Sequence, residues 1–466
     1  MKKLLFILVP LLYASFPTHS QSSLYGLNFK GNGSVIEYNL ASKSLKAVYT
    51  LNESDGEGPY SSLIQGFNGS LYGMTAYSGT YNNGTIFSFN PSTAKFTKVY
   101  DFDGVNGGRP SGNLLAASNK KLYGLSLIDG SGNIFSFDPV LNTYSKLHVL
   151  DPVDGDGLFG SLIEASNGKL YGLAYKGGSG GTGASGFGTI FSFDPSTNKF
   201  QKVFDFNGST GANPYGTLVE ASDKKLYGTT SKGGDHNLGV VFSYDPVTNT
   251  FAKLHDFDGT NGATPFSNLM QASDGLLYGT TQYGSLGAGS VFSFNLSNLL
   301  LVNLHNFNVA DGADPSSTLI QASDGLLYGM TETGGSTNQG TVFSFNPVSS
   351  TFTNLQDFNG ENGAFPHFGS LIEVRKSSSS GAITIKNLTL ITYPNPSPAG
   401  FVLTVRSSAL NEKVQLKILN ASGNVVEIKR INVNSMVRFG NSYSSGPYFV
   451  EATQGKQKAS VKLIKL

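Results

Sequence analysis

The residues from Leu269 to Phe307 read LMQASDGLLYGTTQYGSLGAGSVFSFNLSNLLLVNLHNF. Four short apolar runs stand in this stretch: 269–272, 277–281, 291–294 and 300–307. They are separated by Asp274-Gly275, by a Gly-rich loop and by an Asn295–Asn298 turn. Asp-Gly between two apolar runs predicts a tight hairpin, because a two-residue turn of the primed type needs φ > 0 at both central residues. The stretch therefore reads as a four-stranded antiparallel meander.

The same pattern recurs through most of the chain. Leu-Tyr-Gly places its Tyr at 25, 72, 123, 171, 227, 278 and 328. The third run recurs as 86–89, 134–137, 190–193, 241–244, 291–294 and 342–345, with a degenerate first copy at 35–38. Asn-Pro or Asp-Pro follows it at 90, 138, 194, 245 and 346. Proline there stops the ladder and presets the turn. A period of about 50 residues with several strands per unit is the mark of a propeller.

Phase sets the architecture. The long link carrying a Pro before a strand is Asp256–Pro265 (DFDGTNGATP) and its copies. Residues 269–272 are then an innermost strand and 300–307 an outermost one. The repeats begin out of phase, at a second strand (24–27), and end with one extra inner strand, 371–374. This predicts an all-β, seven-bladed β-propeller whose first blade is completed by 371–374, which removes an exposed edge. The division expected is a signal peptide at 1–20, a propeller at 21–374, a Ser-rich linker at 375–389 and a small Ig-like β-sandwich at 390–466. The first segment rests on Lys2 and Lys3 ahead of an apolar 4–16. That run is too short for a membrane span.

Composition agrees. Charged residues are 14% of the chain, Gly numbers 58, Phe 33 and Tyr 22. Glycine in turns and aromatics in strands suit β structure. With no Cys there is no disulfide, thiolate metal site or Cys nucleophile. Residues 382–466 carry 11 Lys+Arg against 3 Asp+Glu, so the rest of the chain is net acidic at −7. Nothing in the basic segment interleaves aromatics and cations as a nucleic-acid surface does.

On LYGTT, GSVFSF and DFDGTNG the repeats resemble the GloVer repeats of secreted bacterial proteins, a resemblance that implies the fold and no assigned activity. The tail, with YPNPSPAGFVLTV, LKILNASGNVV and GPYFVEATQGKQKASVKLIKL, resembles the C-terminal sorting domain of the type IX secretion system. That resemblance implies partnership of residues 390–466 with the type IX machinery, export across the outer membrane of a Bacteroidota-type bacterium, and a secreted or surface location.

Candidate sites follow from the repeat columns. Three residues before each inner-strand Leu stand Tyr60, Ser111, Phe159, Tyr215, Phe266, Ser316 and Phe368. Five of these seven are aromatic, so Tyr60, Phe159, Tyr215, Phe266 and Phe368 are the expected ligand-binding residues, at one mouth of the channel. The competing expectation is that they plug it. Glu164, Glu220 and Glu373 share a column with Gln65, Gln271 and Gln321, which favours a structural role over a glycosidase pair. His148, His255 and His305 share an outer column with Tyr100 and Phe204 and read as aromatic packing. His236 and His367 sit in loops with no evident partner. The Asp/Asn/Gly-rich links suit tight turns; calcium is the alternative, and otherwise no cofactor or catalytic residue is expected. The varied loops, such as 176–188 and 282–289, should emerge on the face of the Pro-containing links, and the longest of them centres an expected ligand near blades four to six. The function expected is non-enzymatic binding of a glycan polymer or protein by a monomeric scaffold. A polysaccharide hydrolase or lyase, or a purely structural surface protein, are the alternatives.

Overall fold

Strands make up nearly all the regular structure of the computed structural model, which describes residues 21–128, 131–178, 186–367, 369–376, 388–393, 401–407, 412–432, 435–455 and 457–465. The signal-peptide expectation at 1–20 and most of the expected linker lie outside the described residues. The chain divides into two compact units, Met1–Ser377 and Ser378–Leu466.

The first unit holds seven four-stranded antiparallel sheets among its described residues. Sheet one orders Ile372–Lys376, Gln21–Asn28, Ser34–Asn39 and Ser44–Thr50. Sheet two is Ile64–Gln65, Leu71–Thr75, Thr85–Asn90 and Lys95–Asp101. Sheet three is Gly108–Ala116, Leu122–Ile128, Ser131–Asp138 and Thr143–Val149. Sheet four is Ile163–Glu164, Leu170–Ala174, Thr189–Asp194 and Lys199–Asp205. Sheet five is Val219–Glu220, Leu226–Thr230, Val240–Asp245 and Thr250–Asp256. Sheet six is Met270–Gln271, Leu277–Thr281, Ser290–Asn295 and Leu300–Asn306. Sheet seven is Ile320–Gln321, Leu327–Thr331, Thr341–Asn346 and Thr351–Asp357.

The core lies between sheets. One apolar cluster joins Tyr72, Met74 and Phe102 of sheet two to Leu122, Phe135 and Phe137 of sheet three. Others join three to four, four to five, five to six and six to seven. Met330 and Val342 of sheet seven meet Leu24, Ile36 and Leu371 of sheet one, and Tyr25 and Val374 of sheet one meet Leu71 and Phe87 of sheet two. Both faces of the second and third strands are thus buried, which explains why these read as apolar throughout, while the outermost strands alternate.

The recurrent tripeptide has a physical reason. Its Tyr hydroxyl reaches the Asn or Asp of the preceding turn: Tyr227 donates to Asp223 at 2.8 Å, and Asn167 donates to Tyr171 at 2.9 Å. Its Gly leaves room for a ring. A Cβ on Gly228 would stand 2.6 Å from the tip of Phe242 and 3.0 Å from Leu218. Phe242 cannot yield, because Phe206 and Phe251 pack on it with centroids at 5.2 and 5.5 Å. Gly228→Ala should therefore cost about 1–3 kcal/mol by overpacking. Gly275→Ala, with φ +84° but open space, should cost about 1–2 kcal/mol from backbone strain alone. Urea melts compare them, and a Gly228→Ala protein as stable as wild type would remove this account of the motif.

The Asp274-Gly275 turn differs from the expected two-residue form. Gly275 takes positive φ and Asp274 does not. The Gly275 N–H donates to Ala272 O, and the Ala272 N–H to Leu276 O, both at 3.0 Å. The loop is longer than two residues, and only its left-handed position asks for Gly.

The second unit packs a sheet of Thr389–Tyr393, Phe401–Arg406 and Ser435–Phe439 against one ordered Val425–Ile431, Val414–Asn420, Gly446–Gln454 and Gln457–Lys465. Leu403 and Val405 from one sheet and Leu416, Ile418 and Val450 from the other share a single buried core.

Candidate functional site

Two hydrogen-bonded girdles run between neighbouring inner strands. In the first, the Ser62 N–H donates to Asn113 Oδ1, Asn113 N–H to Ser161 Oγ, Ser161 N–H to Thr217 Oγ1 and Thr217 N–H to Asn268 Oδ1, at 2.5–2.8 Å. The Ser370 N–H donates to Ser62 Oγ at 2.7 Å, linking the approach to Ile372–Lys376 with the approach to sheet two. The second girdle is the Glu/Gln column. Glu164 accepts from the Ser118 N–H and hydroxyl, Glu220 from Ser166 and Glu373 from Ser323. Gln271 and Gln321 accept from the N–H of Ser222 and Ser273, both at 2.8 Å. Glu164 and Glu220 each bind the serine of the preceding sheet and so tie sheets together.

The outer column packs ring on ring. His148 stacks on Phe200 at 4.3 Å, Phe204 on Phe251 at 3.9 Å and His305 on Phe352 at 3.8 Å. Tyr100 stacks on Tyr144 at 4.3 Å. His255 is tilted against Phe294 at 6.2 Å. Burial holds His148, His255 and His305 below the usual imidazole range, so they pack as neutral rings.

Carboxylates of the links close turns. Asp103 Oδ1 accepts from the N–H of Val105 and Asn106, and Asp258 Oδ1 from Thr260 and Asn261. Asp101 and Asp256 face Lys98 and Lys253. Among the described residues no group of three or more His, Asp or Glu stands where it could hold a metal ion.

Each link reaches its inner strand through one left-handed residue, at Gly58, Arg109, Gly157, Asn213, Thr264, Asp314 and Phe365 (φ between 46° and 67°). Their backbones are tied to the loops after the second strands. The Ala76 N–H donates to Gly58 O, Arg109 N–H to Asn83 O and Glu332 N–H to Asp314 O. Links and varied loops therefore share one end, as their phase predicts. The aromatic column stands immediately beyond these residues.

There the rings meet. Phe159 stacks on Tyr215 with centroids 4.8 Å apart and planes 9° apart, and Phe266 meets Tyr215 edge-on at 4.9 Å. Tyr60 lies against Phe29 at 4.7 Å, His367 at 5.5 Å and Tyr77 at 6.0 Å. Ser111 donates to Leu158 O, and Ser316 Oγ is buried. Phe368 lies outside the described residues. Tyr60, Phe159, Tyr215 and Phe266 also border a small void of about 30 Å3 together with Asn113, Ser161, Thr217 and Asn268 of the first girdle. Beside them a cleft of about 270 Å3 stays open, walled by Tyr60, Tyr77, Arg109, Leu127, Phe159 and Tyr215, with His367 at its edge. The His367 Nδ1 lies 2.6 Å from Glu332 Oε2, the partner that the isolated sequence position does not disclose. Burial pushes the Tyr60 and Tyr215 hydroxyls up, with nearby Glu332 adding to it, so both remain donors near neutral pH.

The cleft is walled by residues of sheets two and three and of the links into sheets four and five, with His367 ahead of Ile372–Lys376. In sheet three only residues 129–130 separate the second and third strands, and in sheet one only 29–33, against 175–188 in sheet four. Tyr77 and Arg109 were missed because neither belongs to the aromatic column. The signal was present at the tail of the LYG strand and before the link Pro.

A propeller-like series of repeated four-stranded sheets with a second compact β unit after it defines the class. Residues 12–185 and 181–383 match the Gloeobacter/Verrucomicrobia repeat, and the chain belongs to that family. Residues 392–466 match the Secretion system C-terminal sorting domain, which marks the chain for type IX export to the cell surface or extracellular space. No helix among the described residues is long and apolar enough to cross a membrane. No curated protein matches the chain. Solved structures similar in fold include a candidate 6-phosphogluconolactonase from Bacteroides fragilis, with TM-score 0.54, 14% identity, and coverage of 77% of this chain and 99% of the other. A second, from Bacteroides uniformis, gives 0.52, 13%, 76% and 100%.

Proposed function

We propose that the seven sheets are the blades of a propeller closed by residues 372–376, and that this rigid ring is a non-enzymatic binding module for an extracellular polymer, a glycan chain or a protein. The binding end is the one that gathers Tyr60, Phe159, Tyr215 and Phe266, with Phe368 assigned to the same column. The observation that carries this is the half-exposed aromatic wall beside an open cleft, on a face where variable side chains stand on a repeated backbone. Variable groups on a rigid frame are where recognition concentrates. The carboxylates of the opposite column favour no hydrolytic pair, since each is engaged by a serine.

The test is an array of bacterial and host surface glycans and proteins, probed with the secreted protein and with Phe159→Ala, Tyr215→Ala and Phe266→Ala. Truncating an aromatic anchor costs about 2 kcal/mol or more, so the first two variants should bind at least about tenfold more weakly with the fold intact. Phe266→Ala, which only backs Tyr215, should lose less. Unchanged binding in both cleft variants, or hits that map to the opposite mouth, would leave the rings as packing.

A further inference from the structure

We infer that the cleft takes a carboxylated sugar, a uronate unit of an extracellular polysaccharide, with Arg109 as the group that holds its carboxylate. The inference rests on the aromatic end being the binding end, and adds the ligand's class.

Three observations carry it. The first is charge. The cleft wall is aromatic and apolar, and among the described residues Arg109 is its one side chain of fixed charge, with no carboxylate lining it. This is notable in a chain whose first 381 residues are net acidic at −7. The guanidinium is exposed and makes no side-chain hydrogen bond or ion pair with the described residues. A planar fork with five donors matches a carboxylate in two parallel bonds.

The second is the conformation that presents it. Arg109 has φ +46° in the strand Gly108–Ala116, at a place where the ladder to Leu122–Ile128 breaks register. The same step is held by Gly58, Gly157, Asn213, Thr264, Asp314 and Phe365 elsewhere, so Arg109 is the one cation among the seven. A long cationic side chain there is unfavourable for the backbone, and the position aims it at the edge of the cleft.

The third is size and partner type. About 270 Å3 falls just below the usual range for a small-ligand pocket, enough for one ring with its neighbours outside. Phe159 and Tyr215 offer faces for the C–H side of a pyranose, and Tyr60 and Tyr77 offer hydroxyls. A peptide finds less. The link backbone beside the cleft is already paired, Glu57 with Tyr77 and Gly58 O with Ala76 N–H, which leaves this link no free edge for β-addition.

Binding of the secreted protein to polygalacturonate, alginate, fully methyl-esterified galacturonan, dextran and poly-glutamate decides the matter. The expected result is retention by the two uronates, at least about tenfold weaker binding to the methyl ester, and weakening with salt. Arg109→Gln should lose about tenfold or more on uronates, while Lys232→Gln, a cation on the same end outside the cleft, stays within about twofold. Arg109→Gly should lose binding equally yet melt no lower than wild type, since glycine relaxes the left-handed step, which separates recognition from folding. Equal binding to the ester or by Arg109→Gln overturns the uronate assignment while leaving the aromatic end in place. Tighter binding of poly-glutamate makes the cleft a peptide site and overturns it too. If no polymer is retained, both this inference and the binding reading of the glycan end fall.

Discussion

A chain ending at Gly369 should melt far below one ending at Ser377, while the latter should melt close to the full-length protein. The difference lies in eight residues. Within them Ile372–Lys376 pairs with Gln21–Tyr25, Tyr25 facing Ile372 and Leu24 facing Glu373. Leu371 and Val374 are buried, the first in the cluster shared with sheet seven and the second in that shared with sheet two. Each contributes about 1.5–3 kcal/mol of burial. Ser370 adds its bonds to Ser62, and Glu373 those to Ser323. Without them Gln21–Asn28 becomes an open edge with Leu24 and Tyr25 uncovered, a template for aggregation. A loss of more than about 5 kcal/mol is expected against a total of about 5–15 kcal/mol. Thermal melts of the two truncations should differ by about 10 °C or more, with dye binding rising only in the shorter chain. Coincident melts would show that residues 370–376 decorate the ring rather than close it.

Much of this was legible because repetition exposes constraint. A Gly that must clear a Phe tip recurs at 73, 124, 172, 228, 279 and 329, and each meets the first Phe of its own neighbouring strand. Such a step is visible as Leu-Tyr-Gly and Phe-Ser-Phe at a fixed offset. The phase of the meander was legible from one Pro-containing link, and it placed 371–374 within two residues of the observed strand. The aromatic column was legible for the same reason, since Tyr60, Phe159, Tyr215 and Phe266 hold equal distance from an inner-strand Leu. The cleft was not. It is walled in part by Tyr77, Arg109 and Leu127, which stand outside the aromatic column, so that column does not announce it. Length drew attention to 176–188 instead. His367 and Glu332 are brought together by the arrangement of sheets one and seven, and Arg109 is the one cation in a column of mixed residues. Neither signal is periodic, so neither shows until the backbone is in place.

Removing residues 392–466 should hold the protein in the periplasm of a type IX-competent host, and appending them to a neutral cargo bearing a signal peptide should export that cargo. The segment's own structure argues for portability. Its two sheets close over one core of Leu403, Val405, Leu416, Ile418 and Val450, all fully buried, so the unit carries its folding determinants with it. An address read as a folded surface must fail when that core fails. Leu416→Asp buries a carboxylate with no counter-charge among those apolar neighbours, which costs several kcal/mol, at least as much as the about 2–5 kcal/mol of a Leu→Ala cavity. That variant should keep the repeat unit's melting transition, because the two units are compact separately, and still be retained inside. Lys462→Gln, on an exposed face of the same unit, should fold normally. Fractionation of cells into periplasm, surface and medium reads the result. Export of the Leu416→Asp chain at the wild-type level would mean that the machinery reads a linear motif rather than the folded sheet pair. Export of the chain lacking 392–466 would mean that the address lies elsewhere.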